Sequence, residues 1–292
     1  MKKVLKFILS ILPFKKQLFT LIRNLFHPSE RIYKHLYFKG KIKIKSSKET
    51  SFYMMHYGYQ LENDVFWMGL LNGWEKESIS IWMKLVKKNK VVLDIGANTG
   101  VFALLTKSLN PDAIVHAFEP VKRVYDKLKN NVELNQYAIK CHEVALSNST
   151  GKAIIYDQPT EHVYSVAVNV DISNTGLQTI PTEINTLRLD DFIHNEGLTQ
   201  IDLIKLDVEM HEAEVIEGMG EFIEKFKPDF LIELLNDEVA ENVENLLKTI
   251  EYDFYNINEN SGLTKCKHLT KSESFNFLIC KKETSHYLGL HE

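Results

Sequence analysis

An α/β fold on a doubly wound, mostly parallel sheet, with a basic helical extension ahead of it, is what this sequence predicts. Two observations carry that expectation. From Val91 to Cys280 short apolar runs alternate with stretches of helical period, and such alternation builds parallel βαβ units with right-handed crossovers. The first run, Val91–Ile95, opens directly into a glycine turn, Gly96-Ala97-Asn98-Thr99-Gly100, as the first strand of such a sheet does. The 292 residues hold one domain of this kind plus an extension, and 44 % apolar with 25 % charged residues is the balance of a chain with an ordinary core.

The extension occupies residues 1–45. It carries twelve Lys/Arg against the single acid Glu30, although the whole chain has a net charge of −4, so a basic head sits on an acidic body. That asymmetry suits an anionic surface near the head, such as a membrane or a phosphate-rich carrier, and equally a solvated basic segment. The first apolar run, Phe7–Phe14, is too short to span a bilayer and is closed by Lys15 and Lys16. No small-x-small cleavage site follows it. Leu18, Leu21, Ile22, Leu25 and Phe26 then recur at helical spacing, the pattern of an amphipathic helix that docks on its own domain or lies on a membrane. Pro13 kinks any helix running through both parts. Peripheral membrane contact through residues 1–26 is one expectation, and a nucleic-acid partner is not expected. Three scattered cysteines, Cys141, Cys266 and Cys280, show no ligand spacing and fit a reducing, cytoplasmic compartment.

Residues 46–90 form a cap segment and a lead-in helix. Lys41–Lys45, KIKIK, alternates as a half-buried strand; Ile79, Trp82, Met83 and Val86 share a helix face, with lysines in the last turns. The α/β domain is placed at 91–283, with a tail at 284–292. Within it the expected strands are Val91–Ile95, Ala113–Phe118, Ile139–Leu146, Lys152–Tyr156, Ile201–Val208, Pro228–Leu235, Tyr252–Ile257 and Phe275–Cys280. The expected helices are Gly100–Leu109, Val121–Asn135, His211–Gly220 and Asp237–Ile250. The last two strands lack a helical stretch between them, so an antiparallel pair at the sheet edge is expected.

Ligands of such sheets sit beyond the carboxyl ends of the strands. There Asp94 offers negative charge, while amides at the next helix N-terminus offer donors to a carboxylate. Gly96 and Gly100 let the backbone turn sharply. The spacing is G-x-x-x-G, with Asn98 where a dinucleotide motif requires its second glycine, which argues against a pyrophosphate. A paired anion and cation site suits an amino-acid zwitterion instead. Glu119, 23 residues past Gly96 in Phe118-Glu119-Pro120, stands near the offset at which an acid meets a ribose diol. Zwitterion and ribose together describe S-adenosylmethionine.

In these residues the chain resembles a known family. LDIGANTG, AFEP, EVALSNSTG, TLRLDDF, IDLIKLDVEMHEAEVIEGM and PDFLIELL, in this order from Trp74 to Lys281, look like the FkbM-type methyltransferases. The resemblance implies a Rossmann-like sheet of seven strands, the class I methyltransferase fold, and O-methylation of a hydroxyl on a sugar, glycan or similar small molecule. It implies that Asp94, Gly96, Asn98 and Gly100 hold the methionine half, that Glu119 holds the ribose, and that Glu143–Ser147, with Ala145 foremost, lines the adenine. Glu75 in GWEKES matches an acidic position ahead of the motif and is counted with the donor site.

The second signature, Lys205–Gly218, ends the fourth strand beside the transferred methyl. Asp207 and Glu209 are candidates to orient the acceptor hydroxyl, bind a divalent cation or take the hydroxyl proton, and His211 is a further candidate base. Lys205 pairs with Asp207 or another acid. Met210 stands where the family usually has glycine, which bears on the acceptor side. Magnesium held by Asp207, Glu233, Asn236 and Asp237 is conceivable from their chemistry, yet no metal ligand is assigned. Val163–Pro181, polar and weakly periodic, is an acceptor loop or a plain surface connection. A nicotinamide oxidoreductase and a non-catalytic, membrane-recruited scaffold are the competing readings, and the oligomeric state is open.

Overall fold

A computed structural model describes residues 14–157, 166–168 and 180–290. The apolar run before Lys15, the kink at Pro13 and nearly all of the Val163–Pro181 segment lie outside the described residues. The chain divides into two compact units, one ending at Lys76 and one beginning at Glu77.

The first unit contains α1 (Lys15–Leu25), α2 (Glu30–Tyr33), the strands β1 (Gly40–Lys45) and β2 (Ser51–His56), and α3 (Gln60–Met68). β1 and β2 pair antiparallel from Gly40↔His56 to Lys45↔Ser51. The alternation of KIKIK does what a period of two dictates: Ile42 and Ile44 are buried and the lysines point to solvent. Between the helices and the hairpin lies an aromatic core. Phe66 meets Trp67 edge-on at 5.2 Å and Phe38 at 4.8 Å, and Phe19 of α1 packs on Trp67 at 5.7 Å. Arg23 of α1 donates to the Phe66 carbonyl at 2.6 Å with its guanidinium 4.5 Å from the Phe66 ring. The helix of the basic extension thus docks on its own unit through Phe19 and Arg23.

The second unit begins one residue into α4 (Lys76–Leu85), and the Glu259 carboxylate receives the amides of Glu77 at 2.6 Å and Ser78 at 3.3 Å. There follow β3 (Val91–Ile95), α5 (Val101–Leu109), β4 (Ile114–Phe118), α6 (Lys122–Asn135), β5 (Ile139–His142), β6 (Ala145–Ser147), β7 (Gly151–Asp157), β8 (Val166–Val168) and β9 (Ile180–Arg188). The chain continues through α7 (Leu189–Glu196), β10 (Leu203–Leu206), α8 (Glu212–Glu217), α9 (Phe222–Phe226), β11 (Asp229–Glu233) and α10 (Asp237–Leu247). It closes with β12 (Tyr252–Asn258), β13 (Gly262–Cys266), β14 (Asn276–Lys281) and α11 (Lys282–Leu288).

The main sheet has eight strands in the order β13-β12-β14-β11-β10-β3-β4-β5. β3, β4, β5, β10 and β11 run parallel, and β14 lies antiparallel between β11 and β12. β3 and its neighbours are apolar on both faces because helices cover both, so Val92, Leu93, Leu203, Ile204, Phe230 and Leu231 are all buried. The strand order reverses beside β3, which places the switch point at the glycine turn. The expected seven strands are present, and β13 adds an eighth at the edge. A second sheet, β6-β9-β7-β8, stands apart.

Several elements differ from the sequence reading for local reasons. Ile139–Leu146 breaks in two at Glu143-Val144, β5 joining the main sheet and β6 pairing parallel with β9. The helix expected over His211–Gly220 stops at Glu217, and a new one begins at Phe222 after Gly220 in a left-handed conformation (φ 53°). Residues from Lys282 onward form α11, tied down by Thr284, which donates to Asp229 at 2.7 Å. Among the described residues no helix is long and apolar enough to cross a membrane.

Candidate active site

The site lies in the second unit, beyond the carboxyl ends of β3, β4 and β10. Asp94 is the fourth residue of β3, paired in register with Lys205 of β10 on one side and Ala117 of β4 on the other. It is 1 % exposed; its Oδ2 accepts the Ala103 amide of α5 at 2.9 Å, and its Oδ1 is buried with no partner. Burial pushes the carboxyl up to about 7, against the opposing pull of Lys205 and of the Ala103 amide.

The turn after β3 is held by two amides, Gly96 at 3.1 Å and Ala97 at 2.8 Å, donating to the Phe118 carbonyl at the end of β4. Gly96 has φ +79°, and a Cβ there would fall 1.8 Å from the Asp207 carbonyl oxygen. The close approach that demands glycine is therefore to the chain's own β10 terminus. Asn98 adopts φ 53° with its Oδ1 buried and unpartnered, and Gly100 (φ 93°) is the residue that begins α5. Thr99 is buried, with its carbonyl accepting from Asn131 of α6 at 2.8 Å.

Glu119 follows β4 and is 7 % exposed. One oxygen accepts the Asn98 amide at 3.1 Å and the other the Val121 amide at 3.0 Å, which locks the carboxylate across the glycine turn. Burial raises this carboxyl also to about 7, while the two amides and Arg123 oppose the rise. Each oxygen keeps a lone pair, the requirement for receiving two vicinal hydroxyls. Ala145 begins β6 and packs against the cluster of Val121, Val124, Ile155 and Ile184 next to Glu119.

The second signature surrounds the end of β10. Lys205, 1 % exposed, sets its Nζ 3.0 Å from Asp207 Oδ2 and 5.2 Å from the centre of the Phe102 ring. Glu209 and Met210 are consecutive residues with positive φ, 55° and 76°. Two such turns in a row are strained for side chains with a Cβ, which gives a physical reason for the glycine expected at position 210. The loop is braced from below by Glu212, fully buried, whose Oε1 accepts the Val208 amide at 3.1 Å and the Met210 amide at 3.3 Å. Burial raises the Glu212 carboxyl to about 8, and its Oε2 is buried with no partner. Glu212 is not among the residues singled out from sequence; its place inside the second signature, at the start of the helix that follows β10, was the available signal.

His211 stands with its Nε2 2.9 Å from Ser147 Oγ and its Nδ1 3.5 Å from Glu214. Burial lowers its pKa from the ordinary 6.5, with Glu214 pulling the other way. Gly218, at the end of α8, permits this contact: a Cβ there would lie 2.0 Å from the Ser147 carbonyl oxygen. The structure thus brings Asp94, Gly96, Asn98, Gly100 and Glu119 into one hydrogen-bonded turn, and joins it to Asp207 through Gly96 and Lys205. His211 is directed to β6. Glu75 belongs to the first unit, where it has φ 45°.

Among the described residues no group of three or more His, Cys, Asp or Glu side chains is arranged to hold a metal ion. Oxygen donors considered from sequence have structural partners: Asp207 pairs with Lys205. Asn236 Oδ1 caps α10 by accepting the Val239 amide at 2.8 Å, and Asp237 accepts the Lys271 amide at 2.7 Å.

A reversing parallel sheet with an acid, a glycine turn and a second acid at adjacent strand ends is the Rossmann-like class of α/β domain, with its ligand site at the switch point. The model of the methyltransferase FkbM domain matches residues 94–257, and the chain belongs to that family. Among curated proteins it is 30 % identical over 159 residues to methyltransferase sdnD of Sordaria araneosa, covering 46 % of this chain and 61 % of that one. It is 31 % identical over 155 residues to the 2-O-methyltransferase NoeI of Sinorhizobium fredii, covering 48 % and 62 %. With the hexuronic acid methyltransferase AglP of Haloferax volcanii identity is 26 % over 184 residues, covering 62 % and 70 %. The matched region spans about three-fifths of the first two relatives. Of solved structures, an FkbM methyltransferase from Methylobacillus flagellatus aligns with TM-score 0.41 at 17 % identity, covering 66 % of this chain and 44 % of that one.

Proposed function

We propose that the protein is an S-adenosylmethionine-dependent O-methyltransferase acting on a hydroxyl of a sugar or glycan. The observation that carries this reading is the pair of buried carboxylates bridged by the glycine turn, Asp94 with an unpartnered Oδ1 and Glu119 held open by two amides. Asp94 Oδ1 receives the donor's ammonium, the amides opening α5 face its carboxylate, and Glu119 receives the ribose hydroxyls. Ala145 supplies an apolar wall for the adenine. The donor supplies an electrophilic methyl group on a sulfonium.

The chain's own work is to bring an acceptor oxygen into line with that methyl and to take its proton. Asp207, fixed by Lys205, is the orienting group at the strand end. His211, kept neutral by burial, and Glu209 in the strained loop are the groups that accept the proton. The relatives bear on the acceptor: one is named for a hexuronic acid and another for a 2-O position. A hydroxyl-bearing sugar fits both.

Calorimetry of the pure protein with S-adenosylmethionine and with its demethylated product tests the donor. Micromolar binding is expected, lowered at least about tenfold in Asp94→Ala and in Glu119→Ala. A folded protein stabilised by a nicotinamide dinucleotide and indifferent to both sulfur ligands overturns the reading in favour of an oxidoreductase. One that binds none of them is a scaffold. Mass spectrometry of cellular glycans with and without the protein tests the acceptor, and an unchanged set of methyl groups removes the glycan class.

A further inference from the structure

We propose that the first unit docks on an anionic lipid bilayer through the outward face of α1. The observation is where the exposed apolar side chains fall. Of the thirteen large hydrophobic residues exposed among the described residues, seven lie between Phe14 and Tyr37. Phe14, Leu18, Leu21 and Leu25 follow one another at spacings of four, three and four, so they form a single stripe along the helix. Leu21 is 58 % exposed and Leu25 79 %, whereas the opposite face is spent on docking through Phe19 and Arg23. Phe26 and Ile32, also exposed, extend the apolar surface past the helix. A water-facing helix surface is normally polar, and this arrangement leaves an apolar face exposed, with no partner among the described residues.

Charge selects the occupant. Residues 1–45 hold twelve Lys/Arg and one acid; Lys16 is exposed on α1 itself, and Arg31, Lys34 and Lys39 are exposed in the segment that follows it. A second copy of the same face would bring two strongly basic surfaces together. An anionic bilayer instead satisfies both features at once, the apolar side chains entering the acyl boundary while the cations meet headgroups. With eleven residues the helix is about 16 Å long, half the thickness of a hydrocarbon core, so it lies in the plane of the surface.

The test is co-sedimentation of the full chain with vesicles, a readout independent of donor binding and of methyl transfer. Phosphatidylcholine vesicles containing phosphatidylglycerol are expected to carry the protein down, with binding about tenfold weaker to phosphatidylcholine alone and at high salt. The double substitution Leu21→Glu with Leu25→Glu is expected to lower binding about tenfold while the melting transition is retained. Failure of the folded native chain to bind the anionic vesicles overturns the proposal. So does undiminished binding by the double variant, which assigns the contact to residues 1–13 or to the hairpin lysines. A dimer that the double variant converts to monomer, without any preference for anionic lipid, assigns the face to a second copy.

Discussion

The Lys205 ammonium sits 3.0 Å from Asp207 Oδ2 and next to Asp94 across the β3–β10 pair, a single buried cation between the two carboxylates of neighbouring strand ends. Its side chain is 2 % exposed and that of Asp207 27 %, so the pair is closed on the lysine side and open on the side where an acceptor would lie. Lys205 also holds the Asp94 carboxyl down against burial.

Replacing Lys205 by Met should therefore weaken the donor site through charge. Without the cation the Asp94 pKa rises further above about 7, fewer molecules carry the carboxylate at neutral pH, and donor affinity falls. Affinity is expected to recover as pH rises toward 9, a recovery that a packing defect would not show; calorimetry at the two pH values measures it. Stability should drop by about 2 kcal/mol in urea melts, less than for a wholly buried pair because Asp207 reaches solvent.

The ligand-free protein should lose stability as pH rises through neutrality. Asp94 and Glu119 have ordinary values of 3.8 and 4.5 and are raised to about 7 in the fold, so the folded state holds protons that the unfolded chain has released. Their contribution is complete below about 4 and is lost as pH climbs to about 7 and beyond. In Asp94→Asn the melting temperature should depend less steeply on pH over this window. An equally steep profile would show that Asp94 is not protonated in the fold.

Glycine at position 210 should be better tolerated than alanine. Both remove the Met210 side chain, which packs partly buried on the core and whose sulfur lies 3.2 Å from Asn236 Nδ2. Only glycine relieves the left-handed strain at φ 76°, worth about 1 kcal/mol. Met210→Gly is expected to exceed Met210→Ala in stability by that margin in urea denaturation, and an alanine variant that is the more stable would remove strain as the reason.

Gly96→Ala and Gly218→Ala should each cost more than about 3 kcal/mol or prevent folding. Each added Cβ lands within 2.0 Å of a backbone carbonyl oxygen, Asp207 in one case and Ser147 in the other, and backbone cannot step aside. Thermal melts of the purified variants check this; a near-native melt for either would mean that these strand ends are looser than their contacts imply.

His211→Gln should separate proton transfer from donor binding. If His211 takes the acceptor proton, turnover falls roughly 100-fold or more while donor affinity stays within about twofold. The acid limb of the native pH profile should lie below 6.5, because burial lowers the imidazole pKa. A variant with native turnover hands the proton to Asp207 or Glu209.

Much of the fold was legible because periodicity is local. Val91–Ile95, the glycine turn and Val121–Asn135 announce themselves within a dozen residues. β9 and β13 were not legible: Ile180–Arg188 and Gly262–Cys266 mix polar with apolar residues and bury few of them, and only the ladders to β7 and β12 make them strands. The break between β5 and β6 depends likewise on a partner, β9, forty residues away.

The glycine turn, with Asp94 before it and Glu119 at the next strand end, was set by the sequence alone, since residue type and spacing determine which groups a strand end presents. What only the tertiary structure decided is how those groups are engaged. Gly96 is required by the backbone of Asp207, Glu119 is held by two amides, Lys205 serves two strands, and Glu212 braces the loop carrying Met210. The outward stripe of α1 belongs to the same class: Phe19 and Leu21 look alike in a helical pattern, and only packing shows which of them meets the core. Burial and hydrogen bonding across distant strands are properties of the assembled sheet, and no local pattern encodes them.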